Sequence, residues 1–277
     1  MSCSLVGSEM CIRDRGSTLG PAFWFGPVSG KRTRVHNRRL IGPGRNKQRR
    51  DMTLLNYYSQ TKMAKGERFG YKTAILHLAP YKLSGKNVCP NASKACATAC
   101  LNTSGRGQMN SVQDARINKT NAFWKDRLQF LKDLDAEIKQ LSKRADAAGF
   151  KFAVRLNGTS DLPWHRYKLD GQNLMQLNPD VQFYDYTKVF NYLDHGVKNY
   201  YVVYSHSGEN NSECMRALRK GVNVAYVFKD KLPKKFKGRK VIDGDKHDLR
   251  FKERPRGVII GLRAKGLAKK QVSNFVG

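Results

Sequence analysis

Residues 152–161 read FAVRLNGTSD. A run that is apolar apart from Arg155 ends abruptly in Asn, Gly, Thr, Ser and Asp, and this sets the class of the fold. A short apolar segment closed by turn-forming residues predicts a buried strand followed by a tight turn. The same pattern recurs along the chain. Residues 73–79 (TAILHLA), 181–186 (VQFYDY), 200–204 (YYVVY), 222–228 (VNVAYVF) and 258–262 (VIIGL) bring the predicted strands to six.

Between the first two strands, residues 112–148 carry helical spacing. Trp124, Leu128, Leu131, Leu134, Ile138, Leu141 and Ala145 recur at steps of three and four, and Gly149 supplies a stop. Residues 212–220 predict a shorter helix with Gly221 as its C-terminal cap. Strands alternating with helices predict an α/β fold built on a parallel sheet. The expected architecture is a partial (βα)6 barrel-like sheet. An open doubly wound sheet is the alternative, and the lack of a Gly-rich dinucleotide fingerprint after the first strand weakens it.

In parallel α/β folds, chemistry gathers at the C-terminal ends of the strands. Here those ends read NGTSD (157–161), DYTK (185–188), SHSGE (205–209), KD (229–230) and RAKG (263–266). The first strand leads into VCPNASKACATACLNTSGRG (88–107), where Cys89, Cys96 and Cys100 are spaced C-x6-C-x3-C. Zinc sites usually use tighter C-x2–4-C pairs and close with a fourth ligand, which here would fall to His77 or Cys214. Three clustered thiols also suit a [4Fe–4S] cluster with one iron open to a small molecule; unligated thiols are the third option. A second polar group, Asp243, Asp245, His247 and Asp248, has donors for Mg²⁺ or Mn²⁺ in phosphoryl hydrolysis, although a surface turn uses the same residues. Asp185, inside VQFYDY, is a candidate general acid or base.

The formal net charge is +30. Residues 1–51 hold 11 Lys+Arg against 3 Asp+Glu, and the other 226 residues keep +22, with 41 basic against 19 acidic side chains. A balance this basic points to a polyanionic partner, a nucleic acid or nucleotide, or else to a solvated lysine-rich surface. Residues 5–14, LVGSEMCIRD, back-translate to a sequencing-library adapter. Gln48-Arg49-Arg50-Asp51 before Met52 can encode a purine-rich ribosome-binding site. Residues 1–51 are therefore expected to be a non-native leader, with a basic nucleic-acid-binding arm as the rival reading, and 52–277 a single α/β domain. No apolar run approaches the ~20 residues of a membrane span, and the few cysteines argue against a secreted disulfide scaffold. A cytoplasmic location is expected.

The cysteine loop after strand one, the six strands and the polar strand ends together resemble the radical S-adenosylmethionine (SAM) enzymes. Their usual spacing is C-x3-C-x2-C with an aromatic before the last cysteine; this sequence has longer gaps and Ala99. The resemblance implies a [4Fe–4S] cluster on Cys89, Cys96 and Cys100. It also implies SAM near Gly158, Thr159, Ser160 and Asp161, with Ser205 and His206 toward the ribose or substrate. A closer resemblance rests on CPNASKACATACLNTSGRG, VRLNGTSDLPW, VQFYDYTK, NYYVVYSHSGEN, VNVAYVF, VIDGDKHDLRF and GLRAKG. These are similar to the phage family called gene product 88 and cover nearly all of residues 70–276. That family implies relatives without implying a reaction. The sequence thus favours an iron–sulfur, radical SAM-like enzyme. A metal-dependent nuclease or phosphohydrolase acting through Asp245 and its neighbours, or a non-catalytic nucleic-acid-binding protein with structural zinc, stands as the alternative.

Overall fold

The structure, a computed structural model, describes residues 52–57, 61–270, 275 and 276, with 61–63 as backbone only; the leader expected at 1–51 lies outside them. The described residues open with β1 (Leu55–Tyr57), α1 (Thr61–Glu67) and β2 (Tyr71–Leu76). The cysteine loop follows with a short helix α2 (Lys94–Thr98), then α3 (Asn110–Lys125), α4 (Arg127–Asp146) and β3 (Lys151–Arg155). A small antiparallel pair, β4 (Lys168–Leu169) and β5 (Gln172–Asn173), precedes α5 (Leu174–Leu177) and β6 (Gln182–Thr187). Next come β7 (Tyr200–Ser205), α6 (Asn211–Arg219), β8 (Val224–Phe228), β9 (Lys235–Phe236), β10 (Arg239–Asp243) and β11 (Ile259–Arg263).

One mostly parallel sheet of nine strands, in the order β1-β2-β3-β6-β7-β8-β11-β10-β9, organises the molecule. The seven strands from β2 to β10 run parallel, and β1 and β9 pair antiparallel at the two edges. The expected six strands are all present, and the sheet extends beyond them through β1, β9 and β10. Among the described residues the edge strands pair with no further strand, so no barrel closes. Strand order follows chain order from β2 to β8, without the central reversal of a doubly wound sheet.

The six central strands bury side chains on both faces, which is why their runs read as nearly continuous apolar stretches. Phe152, Val154, Phe183 and Val202 pack against Leu131, Leu134 and Ile138 of α4. Farther along the same face, Tyr204, Val224, Tyr226 and Ile259 pack on Cys214, Ala217 and Leu218 of α6. The opposite face holds Val203, Ala225 and Ile260, and also a buried ionic group. Arg155 pairs with Asp248 at 3.3 Å and lies over the Tyr186 ring at 4.5 Å. Arg250, with no exposed surface, reaches Glu253 at 2.7 Å, Asp248 at 3.4 Å and the Gly244 and His247 carbonyls. Removing one partner from such a group strands a buried charge, at about 3–5 kcal/mol.

The single helix expected over residues 112–148 is two helices. The backbone at Asp126 is non-helical, and its carboxylate accepts from the Gln129 N–H at 2.9 Å, capping α4. The break resets the helical phase. Trp124 and Leu128, expected in the buried stripe, are 40% and 52% exposed, and Arg127 covers the Trp124 ring at 5.3 Å. The buried stripe begins at Phe130 and Leu131. Among the described residues no helix is long and apolar enough to cross a membrane.

Leu134→Ala is expected to lower unfolding free energy by about 2–5 kcal/mol, and Leu128→Ala by under about 0.5 kcal/mol. Urea denaturation measures both, and similar losses at the two positions would contradict the phase break.

Candidate functional site

Because seven strands share one direction, their C-terminal ends meet on one rim, and the cysteine loop is tied down across that rim. At the end of β3, the Asp161 N–H donates to the Val88 carbonyl at 2.8 Å, and the Cys89 thiol lies 3.7 Å from the Thr159 carbonyl. At the end of β6, Asn91 Nδ2 donates to the Lys188 carbonyl at 3.1 Å. At the end of β7, the Ser93 hydroxyl donates to the Ser207 carbonyl and accepts the Cys96 N–H at 3.0 Å, capping α2. At the end of β11, Ala264 and Ala268 pack on Ala99. Gly266 there has φ +55°, and a Cβ would sit 2.8 Å from the Thr103 carbonyl, so only glycine fits without strain.

The three thiols share one loop, and Lys188 lies against that loop, its carbonyl accepting from Asn91. Burial alone would lower the Lys188 ammonium, but Cys96, Asp161, Cys89 and Cys100 together outweigh burial and lift it above its ordinary value. Burial pushes the Cys89 thiol up to about 12 and raises Cys100 as well. Among the described residues no three His, Cys, Asp or Glu side chains stand close enough to hold a single metal ion. Beside the loop opens a cleft of about 350 Å³, lined among others by Asn91, Ser93, Lys188, Tyr204, Asn210 and Glu213.

Against this geometry stands one comparison: the model of the family described as Gene product 88 matches residues 52–276. The chain belongs to the gene product 88 family. Neither the curated proteins nor the solved structures give a match.

In this gene product 88 protein the NGTSD turn spends its polar groups internally. Asn157 Oδ1 accepts from the Ser160 hydroxyl at 2.8 Å, the Leu162 N–H at 3.0 Å and the Trp164 indole at 2.9 Å. Gly158 lies against β2: a Cβ would come within 2.5 Å of His77 Nδ1 and 2.6 Å of the Leu76 carbonyl. Burial, then Arg116, holds that histidine neutral, down to about 3. The Thr159 hydroxyl donates to the Leu78 carbonyl at 2.6 Å. Asp161 accepts from the Thr187 hydroxyl at 2.7 Å and the Lys188 N–H at 2.8 Å. These residues position the cysteine loop and Lys188.

Asp185 lies on the helix-covered face below the rim, accepting from the Asn157 N–H at 2.7 Å and the Tyr200 hydroxyl at 3.0 Å. Ser205 ends β7, and its carbonyl accepts from Asn210. His206 stacks on Tyr226 at 4.4 Å, and burial followed by Lys237 lowers it to about 4. Of the second polar group, Asp243 and Asp245 meet at Arg263, with the Asp245 N–H on the Asp243 carboxylate at 2.8 Å, while Asp248 stands apart from them. Asp243 faces Arg263 at 3.1 Å, Asp245 faces Arg263 and Lys265, and Asp248 is in the buried ionic group. His247 packs edge-on against Phe69. Lys188, Ser93, Asn210 and Glu213 were not singled out in the sequence. The signal for Lys188 was its place directly after a predicted strand.

Burial, opposed by the Asn157 N–H, raises Asp185 from its ordinary 3.8 to about 7. Between these values the folded state keeps a proton that the unfolded chain has released. Stability from Asp185 is therefore lost as pH rises from about 4 to 7. Relative to Asp185→Asn, the parent protein should lose on the order of a few kcal/mol across that range. Urea midpoints measured at several pH values test this, and parallel curves would refute it.

Proposed function

We propose that this protein is an iron–sulfur enzyme in which Cys89, Cys96 and Cys100 ligate a [4Fe–4S] cluster and SAM occupies the adjoining cleft. The observation that supports it best is a single loop that carries all three thiols and is pinned across the C-terminal rim of a parallel sheet, with Lys188 against it. The donor set fits. Thiolates on one zinc stand about 3.8 Å apart, given Zn–S bonds of ~2.3 Å in a tetrahedron. Among the described residues the three thiols form no group suited to a single ion, whereas a polynuclear cluster takes its ligands on separate metals. The set is also all sulfur, the usual complement for iron–sulfur ligation.

Bound cluster and SAM together would supply one-electron reductive cleavage, chemistry that belongs to the cofactors. The chain's own residues do the rest. Lys188 holds a positive charge against three sulfurs that must lose their protons to bind iron, and Asp161 keeps that lysine in place through its backbone N–H. Asn91 and Ser93 lock the loop to two strand ends, fixing where the thiols point. Tyr204, Asn210 and Glu213 give the cleft the polar groups that orient a bound molecule. The basic character of the chain points to a nucleotide or nucleic acid as substrate.

Purified without oxygen, the full chain should carry about four irons and four sulfides, as a [4Fe–4S] cluster requires. The reduced protein should give an EPR signal that SAM perturbs. Alanine at Cys89, Cys96 or Cys100 should abolish iron retention. Lys188→Gln should keep the fold by circular dichroism and lower iron occupancy severalfold. One zinc per chain with no iron would overturn the proposal.

A further inference from the structure

Residues 229–240 read KDKLPKKFKGRK, seven basic side chains against one acidic. They form the β9–β10 ribbon and the segment leading into it. Lys231, Lys234, Lys235, Lys237 and Lys240 are exposed, and among the described residues none of them has a carboxylate partner. Lys235 and Lys240 stand directly opposite each other across the two strands. Like charges in that register destabilise a ribbon, yet this ribbon is firmly seated. Phe236 packs on Tyr226 at 5.3 Å and Phe228 at 5.2 Å, and the turn closes through Lys237 and Gly238, both with positive φ.

Beside the ribbon lies an open groove of about 600 Å³, lined by Lys231, Lys234, Lys246 and Arg263 together with Asp230 and Asp243. Arg263 already neutralises Asp243 with contacts of 3.1 Å, so the groove's uncompensated charge is positive. On its other side the ribbon approaches the cysteine cleft: Phe236 packs on Tyr226, the Tyr226 ring stacks on His206 at 4.4 Å, and Cys214 shares that cluster. His206 and Cys214 adjoin the cleft-lining Ser207 and Glu213.

We propose that the β9–β10 ribbon and its groove dock the phosphate backbone of a nucleic acid, and that this polymer is the substrate led to the cysteine site. The second half rests on the iron–sulfur reading above; the first half stands without it. Lysines on an edge strand also deter edge-to-edge pairing. That role covers Lys235 on β9. It does not cover Lys240 on β10, which is flanked on both sides, nor Lys231 and Lys246 in the groove. An anionic membrane is the weaker partner, because interfacial binding wants apolar side chains among the basic ones. None of the large exposed apolar residues falls within 229–246.

The test compares two triple variants of the full chain that change net charge equally. Lys235→Glu, Lys237→Glu and Lys240→Glu alter the ribbon; Lys125→Glu, Lys132→Glu and Lys143→Glu alter the exposed side of α3 and α4. Affinity is read by fluorescence anisotropy of labelled 20-nucleotide single-stranded DNA, duplex DNA and RNA across a salt series. Circular dichroism, thermal melting and iron content per chain are read alongside. The ribbon variant should bind at least one of the three probes about tenfold or more weakly, with a salt slope shallower by roughly 2–3, as loss of three phosphate contacts requires. The α3–α4 variant should lose less than about threefold. Milder Lys→Gln changes replace the ribbon triple if it melts early. Equal losses in both variants, or no binding to any nucleic acid, would overturn the proposal. So would ribbon-dependent binding to phosphatidylserine vesicles alone. Iron content tracks the cofactor reading separately, so failure of one leaves the other measurable.

Discussion

A single buried carboxamide governs the working rim of this protein. Asn157 accepts three hydrogen bonds on one oxygen, donates through its amide nitrogen to Leu162, and offers its backbone N–H to Asp185. That set bends the chain sharply as it leaves β3, with Gly158 pressed against β2 where no side chain fits. The bend brings Thr159 to the Cys89 thiol and Asp161 to the Lys188 backbone. Without it, several buried donors and acceptors would lack partners, each costing about 1–3 kcal/mol, and the cysteine loop would lose its anchor on the central strands. The position of the thiols is thus set by a turn that carries none of them.

The two faces of the sheet are stabilised by different physics. The helix side is an apolar interface in which α4 and α6 press aliphatic and aromatic side chains onto the strands. The other side meets the segment after β10, where Asp248, Arg250 and Glu253 join Arg155 of β3 in a set of ion pairs to which Tyr184 and Tyr186 add hydrogen bonds. Burying such a group is costly unless every member is satisfied, so it fixes the register of that segment more sharply than apolar contacts would. In the VIDGDKHDLRF motif the acids Asp243, Asp245 and Asp248 pair with arginines and lysines of the same molecule.

Much of this was legible in the residues. The six central strands stand out because burial on both faces leaves unbroken apolar runs, and the shared rim follows from their parallel direction. The edges did not show. β1 has three residues, β9 two, and β9 with β10 is so rich in lysine that no apolar alternation survives. The break between α3 and α4 had a signal, because Asp126 and Gln129 stand at capping-box spacing, but uninterrupted apolar periodicity across it hid the change of phase. At the site, clustered cysteines announced themselves through their rarity. Lys188 did not, because one lysine among so many carries no weight until the fold shows which one lines the cleft beside the cysteine loop.

The order of strands has a consequence for how the chain assembles as it leaves the ribosome. From β2 to β8 each strand adds beside one already made, so the sheet grows outward in the direction of synthesis. β10 breaks the rule, since its parallel neighbour β11 is made later and inserts between β8 and β10. Until residue 263 has emerged, the basic ribbon hangs from the growing sheet without its inner partner. The cysteine loop likewise waits for Ala264, Gly266 and Ala268 to close over it. Residues 259–268 therefore complete both the ribbon and the thiol site in one late step, and a nascent chain halted before them holds neither.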